Sequence, residues 1–188
     1  MTRRVIANLL TALGVALLGY CAVVFVQSRL FQMKEERRLE MALPRAPSPS
    51  LPDPQTGALV GRLEIPRLGL SVMVVEGDGH ADLKHAAGHI PGTALPWRNG
   101  NTGIAAHRDT YFRPLRSIRA GDAITLQTLS GTYTYRVLST EIVGPRENQV
   151  LLPDGHDALT LVTCYPFYYI GPAPKRFIVR AEKIPAGT

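Results

Sequence analysis

Three residues have the types and settings of a nucleophilic site: Cys164, His107 and Arg176. Cys164 follows the strand-like run Leu159-Thr-Leu-Val-Thr163, and Pro166 stops that run two residues later. The thiol therefore belongs at a strand end beside a loop, where reactive groups are commonly held. His107 ends a second run, Thr102-Gly-Ile-Ala-Ala106, and an imidazole there can shuttle a proton between a thiol and an amine. Arg176 opens a third run in which Phe177, Val179 and Ala181 point one way and Arg176, Ile178 and Arg180 the other. A guanidinium so placed can donate to an oxyanion without losing its proton. Each residue alone also has a plain structural reading: an inert buried thiol, a loop-bonded surface histidine, a solvated strand-edge arginine.

The chain of 188 residues has two cysteines, and the other one, Cys21, lies within an apolar run. Val5 to Val26 contains no charge, and as a helix it would cover about 33 Å, enough to span a bilayer. Arg3 and Arg4 before it favour a cytoplasmic N-terminus and an outward-facing remainder, although Arg29, Lys34, Arg37 and Arg38 follow it. A cleaved signal peptide would have a shorter apolar stretch. In Leu18-Gly19-Tyr20-Cys21, bulky Tyr20 stands where a lipoprotein signal needs a small residue. An uncleaved anchor is the expectation, and it makes Cys164 a lone thiol in an exported domain, where cysteines normally pair.

Three regions follow: a membrane anchor over residues 1–30, a connection over 31–57, and a catalytic domain over 58–188. In the connection, Phe31 to Glu40 is charged and can prolong the helix, whereas Pro44, Pro47, Pro49, Pro52 and Pro54 favour an extended spacer that holds the domain off the membrane. The domain reads as all-β, with strands expected at Leu59–Ile65, Leu70–Val75, Thr102–Ala106, Ala123–Thr128, Thr132–Val143, Ala158–Thr163 and Lys175–Glu182. A hairpin turns at Ser130-Gly131, and only His80–Ala87 and Tyr111–Ile118 look helical. Closing seven or eight strands into a barrel would remove exposed edges.

The net charge of +6 is spread evenly, +3 in residues 1–57 and +3 in 58–188, with no basic tract interleaved with aromatics. Nucleic-acid binding is not expected. One domain cysteine with His80, His85, His89, His107 and His156 lacks the paired spacing of structural zinc sites. His85 and His89 would share a helix face as a weaker metal pair, but Gly88 intervenes and Pro91 follows.

Papain-like and caspase-like signatures are absent, and the order His, Cys, Arg resembles that of the sortases. Leu161-Val-Thr163-Cys164 is similar to that family's Leu-x-Thr-Cys signature, with Ala-Ala-His107-Arg upstream and Arg176 twelve residues downstream. Gly61-Arg-Leu-Glu-Ile-Pro66, Gly88-His-Ile-Pro-Gly92 and Thr160-Leu-Val-Thr-Cys-Tyr-Pro-Phe167 resemble the class D branch, over about Leu59 to Lys183. The resemblance implies a closed barrel of about eight strands with one or two short helices, whose groove binds a sorting peptide of the Leu-Pro-x-Thr type at the C-terminus of a secreted protein. It implies that Cys164 forms a thioacyl enzyme, that His107 moves the proton, that Arg176 holds the oxyanion, and that an amine of the cell envelope or of another protein resolves the thioester. Thr163 is a candidate for contact with substrate or oxyanion. No cofactor or metal is implied, and no acidic cluster matches the calcium site of one branch. Two alternatives remain at this level: an exported thiol protease with water as acceptor, and a peptide-binding barrel without chemistry.

Overall fold

The computed structural model describes residues 2–42, 53–153 and 155–185. The apolar run and the charged stretch after it form one helix, α1 (Thr2–Ala42). The segment from Pro44 to Pro52, expected to be extended, lies outside the described residues.

Eight strands make a closed barrel: β1 (Leu59–Ile65), β2 (Leu70–Glu76), β3 (Ala87–His89), β4 (Asn101–Ala105), β5 (Ala123–Thr128), β6 (Gly131–Val143), β7 (Ala158–Tyr165) and β8 (Lys175–Ile184). Their order around the barrel is β1-β2-β3-β4-β7-β8-β6-β5. Period-two alternation fills the interior: Leu63, Ile104, Leu126, Leu159, Leu161 and Val179 are fully buried there. A second, smaller cluster of Val143, Val150 and Ile178, with Leu151 and Val162 against it, lies on the other face of β7 and β8.

Two pairings are parallel, β2 with β3 and β4 with β7. The second carries the β4 and β7 C-terminal ends to one rim of the barrel. The antiparallel pairing of β7 with β8 brings the start of β8 to the same rim.

The strands match the sequence expectation within one to two residues at each end, apart from β3. There the apparent helix over residues 80–87 is cut short: α2 spans only His80–Leu83, and Ala87–His89 joins the sheet between β2 and β4. Gly88 permits it, because a Cβ at that position would lie 2.1 Å from the carbonyl oxygen of Gly77. The second expected helix is a 3-10 turn, Arg113–Ser117, with Pro114 in its first turn. β7 also continues through Tyr165, so Cys164 is a strand residue with a partner on β8 and does not follow the strand.

Candidate active site

Strand register explains how residues far apart in sequence meet. Cys164 on β7 and Arg176 on β8 are direct cross-strand partners, so their side chains leave the same face of the sheet with Cβ atoms about 5 Å apart. That face is the outer one: Val162 and Ile178, which precede and follow them on their strands, belong to the outer cluster, whereas Leu161 and Val179 point inward. The alternation expected for β8 is thus observed.

His107 arrives from the other side. β4 runs parallel to β7, with Ala105 opposite Val162, and the Ala106 amide donates to the Val162 carbonyl at 3.2 Å. His107 then leaves the strand at the level of Cys164, and its carbonyl accepts the Phe112 amide at 3.1 Å as the chain turns into the 3-10 segment. Cys164, His107 and Arg176 are all half-buried and line one open groove of about 660 Å³. The structure brings the three expected residues together.

Thr163 precedes Cys164 on β7 and has a partner of its own. It borders the groove and is buried, but its hydroxyl donates to the Ala106 carbonyl at 2.7 Å. That proton is committed to tying β7 to the chain just before His107, because odd positions of β7 face inward.

Arg176 donates through Nη1 to the carbonyl of Lys175 at 3.0 Å and, less closely, to that of Ala173 at 3.4 Å. The β7–β8 loop is braced by Arg108, which donates to the carbonyls of Tyr169 at 2.6 Å and Gly171 at 3.0 Å. His107 and its neighbour Arg108 are thereby coupled to the loop that leads into Arg176.

Sequence reasoning did not find the groove walls. One is the β6–β7 connection, with Pro145, Asn148 and Leu151; the other combines Asp78 and Leu83 with the turn Ile90–Thr93. The Gly88-His-Ile-Pro-Gly92 segment was the available signal for the second wall. In it His89 is buried and held on both sides: Nδ1 lies 2.6 Å from Glu76 Oε2, and Nε2 lies 3.1 Å from both the Ala94 carbonyl and Thr93 Oγ1. The Thr93 hydroxyl donates to Ile90 and accepts from the Gly103 amide, so this network fixes the wall's backbone. The metal pairing of His85 with His89 does not form, because His89 sits on β3 and the His85 ring packs against Phe31 of α1 at 6.1 Å. The described residues contain no cluster of three or more His, Cys, Asp or Glu placed to hold a metal ion. His80, at the start of α2, stands with its ring 6.1 Å from that of His107 in an edge-on arrangement.

The barrel that carries this groove is similar to known proteins. Residues 63–184 match the family model of the sortase domain. The chain is 36% identical over 132 residues to Sortase D of Bacillus subtilis, covering 70% of this chain and 67% of that protein. It is 25% identical over 130 residues to Sortase A of Bacillus anthracis, covering 67% of this chain and 60% of that protein. A solved Clostridium perfringens Sortase D5 transpeptidase superposes with a TM-score of 0.64 at 28% identity, covering 70% of this chain and 82% of that one. With its closed barrel, its rim of Cys, His and Arg, and its match over residues 63–184, this chain belongs to the sortase family of cysteine transpeptidases.

Proposed function

We propose that this enzyme cleaves a C-terminal sorting motif of the Leu-Pro-x-Thr type on secreted proteins and joins the new acyl end to an amine of the cell envelope or of another protein. The observation that carries the reading is the cross-strand pairing of Cys164 with Arg176, beside His107, on an open groove. Such a groove accepts an extended peptide and leaves room for a second substrate.

In the first half-reaction the Cys164 thiolate attacks the scissile carbonyl carbon, and the oxygen takes the displaced electron pair. Arg176 stands on the same face as the thiol and donates to that oxygen. The C–N bond breaks as His107 protonates the leaving amine, which gives a thioester and the free C-terminal fragment. In the second, the acceptor amine attacks the thioester, His107 takes its proton, and the thiolate departs. One amide replaces another, so no energy source is needed. Thr163 serves by holding the Ala106 carbonyl, and with it the approach to His107, in register with Cys164.

Among the described residues one helix, at the N-terminus, is long and apolar enough to cross a membrane, which supports an anchor with the N-terminus inside and the barrel outside. In this reading residues 1–30 anchor, 31–57 connect and 58–188 carry the chemistry.

The test incubates the full chain in detergent micelles with a pentapeptide library and an amine, with products read by mass spectrometry. Amide exchange that disappears in Cys164→Ala is the expected result. Hydrolysis unaffected by any amine would replace transfer with proteolysis, and silence of the wild type across the library would remove the catalytic reading.

A further inference from the structure

The part of α1 beyond the apolar run is bolted to the barrel. β3 is too short to cover β2: it pairs only with Val74, Val75 and Glu76, which leaves the earlier half of that β2 edge open. Gln32 of α1 fills the gap. Its Oε1 accepts the Met73 amide at 2.8 Å, and its Nε2 donates to the His85 carbonyl at 2.6 Å. Around it, Glu36 accepts from Arg62 at 2.7 Å, Ser28 donates to the Lys84 carbonyl at 3.2 Å, and Leu39 is buried at 1% exposure. Contacts to three separate stretches, spread over about three helical turns, are more than a flexible tether makes.

The two carbonyls that α1 grips, those of Lys84 and His85, belong to the turn that closes α2. The amides of His85 and Ala86 both reach back to the Asp82 carbonyl, each at 3.1 Å, and the Tyr111 hydroxyl adds a second bond to the His85 carbonyl at 2.8 Å. Leu83, one residue before the gripped pair, lines the groove, and His80 at the other end of α2 faces the His107 ring. A four-residue helix has too few internal bonds to hold its own place. Its position is set from outside.

We propose that Gln32 is a positioning residue for peptide binding: by holding the 84–86 turn, the extramembrane half of α1 fixes the α2 wall of the groove. The anchor is then part of the enzyme's specificity apparatus as well as its tether. Ser28 is only two residues past Val26, so the same contact sets the α2 rim at the bilayer surface.

The proposal rests on the transpeptidase reading for its kinetic measurement but not for its structural one. Full-length Gln32→Ala and Gln32→Glu, in lipid nanodiscs, are compared with wild type by backbone hydrogen–deuterium exchange and by steady-state kinetics with the peptide selected above. Glutamate keeps the acceptor for Met73 and loses the donor to His85, so it isolates the bond to the turn. Both variants are expected to speed exchange at Leu83, His85 and Ala86 about 10-fold while Leu159 to Thr163 stay protected. Both are expected to raise peptide KM about 5-fold with kcat within about 2-fold. Unchanged exchange in both variants, wild-type behaviour of Gln32→Glu, or faster exchange with unchanged KM would each overturn the proposal. If Gln32→Ala loses protection across β7, Gln32→Glu and the milder Ser28→Ala decide. A wild type without turnover would defeat the transpeptidase reading, while the exchange result would still decide whether Gln32 holds the turn.

Discussion

The inner core of the barrel and the small cluster outside it, beneath the groove, are built from the same strands and differ in what closes them. The inner cluster is sealed by eight strands in fixed register and buries side chains such as Leu63, Leu126 and Leu161 completely. The outer one rests on Ile178 and Val162, is roofed by the β6–β7 connection through Val150 and Leu151, and stays open along the groove. Along β7 the two alternate residue by residue: Leu159, Leu161 and Thr163 belong inside, Val162 and Cys164 outside. Period two therefore separates the packed interior from the groove face on one strand. A one-residue slip of β7 against β8 would exchange the two roles.

The largest effect expected from breaking this division is on the outer face. Cys164→Ala should lower kcat/KM by at least about 10³-fold, some 4 kcal/mol of transition-state stabilisation, while urea denaturation shifts by less than about 1 kcal/mol. A large loss of stability would show that Cys164 belongs to the core. Leu161→Ala, three positions away and facing inward, is the converse: about 3 kcal/mol less stability, with activity per folded molecule within a few-fold of wild type. Loss of turnover in a variant still folded at assay temperature would contradict the separation.

Thr163 lies at the boundary. Thr163→Val keeps the shape and β-branching but strands the buried Ala106 carbonyl, at a cost of about 1–2 kcal/mol. Because that carbonyl precedes His107, kcat should fall with it, by several-fold, and peptide KM should change little. A change confined to KM would return Thr163 to the role of substrate contact.

Much of this was readable in the sequence because alternation and turn residues are local. Thr132-Tyr-Thr-Tyr-Arg-Val announces β6, and Lys175 to Arg180 announces both faces of β8. Cys164, His107 and Arg176 could be named because residue type, strand end and a family signature coincide on each. What could not be read depends on partners distant in the chain. β3 has three residues and forms only where β2 and β4 flank it, so Ala86 and Ala87 look helical until that pairing is known. The grip of Gln32 on Met73 and His85 spans 41 and 53 residues, and nothing local to Gln32 distinguishes it from its polar neighbours. The groove walls were missed for the same reason: loops have no period, and their places are set by the strands that they join.

The smallest expected effect comes from a charged pair that belongs to neither cluster. Asp122, buried just before β5, accepts the Arg119 amide at 2.8 Å and both Nε and Nη2 of Arg67. The Arg67 guanidinium holds the Asp122 carboxyl below the usual carboxylate range, and the Arg119 amide adds to the effect against the cost of burial. A folded-state value below that of the unfolded chain, about 3.9, means that the stabilisation is complete above pH 4 and is lost as pH falls through the depressed native value. Arg67 is partly exposed, so solvent screening keeps the contribution small. Asp122→Asn should therefore be slightly less stable than wild type at pH 7, with the gap closing below about pH 4, in urea titrations that run down from neutral pH into the acid range. Turnover at pH 7 should be unchanged, because the pair touches neither the groove nor the strands that carry Cys164 and Arg176. A gap that stays constant across that range would mean that the carboxylate contributes shape and not charge.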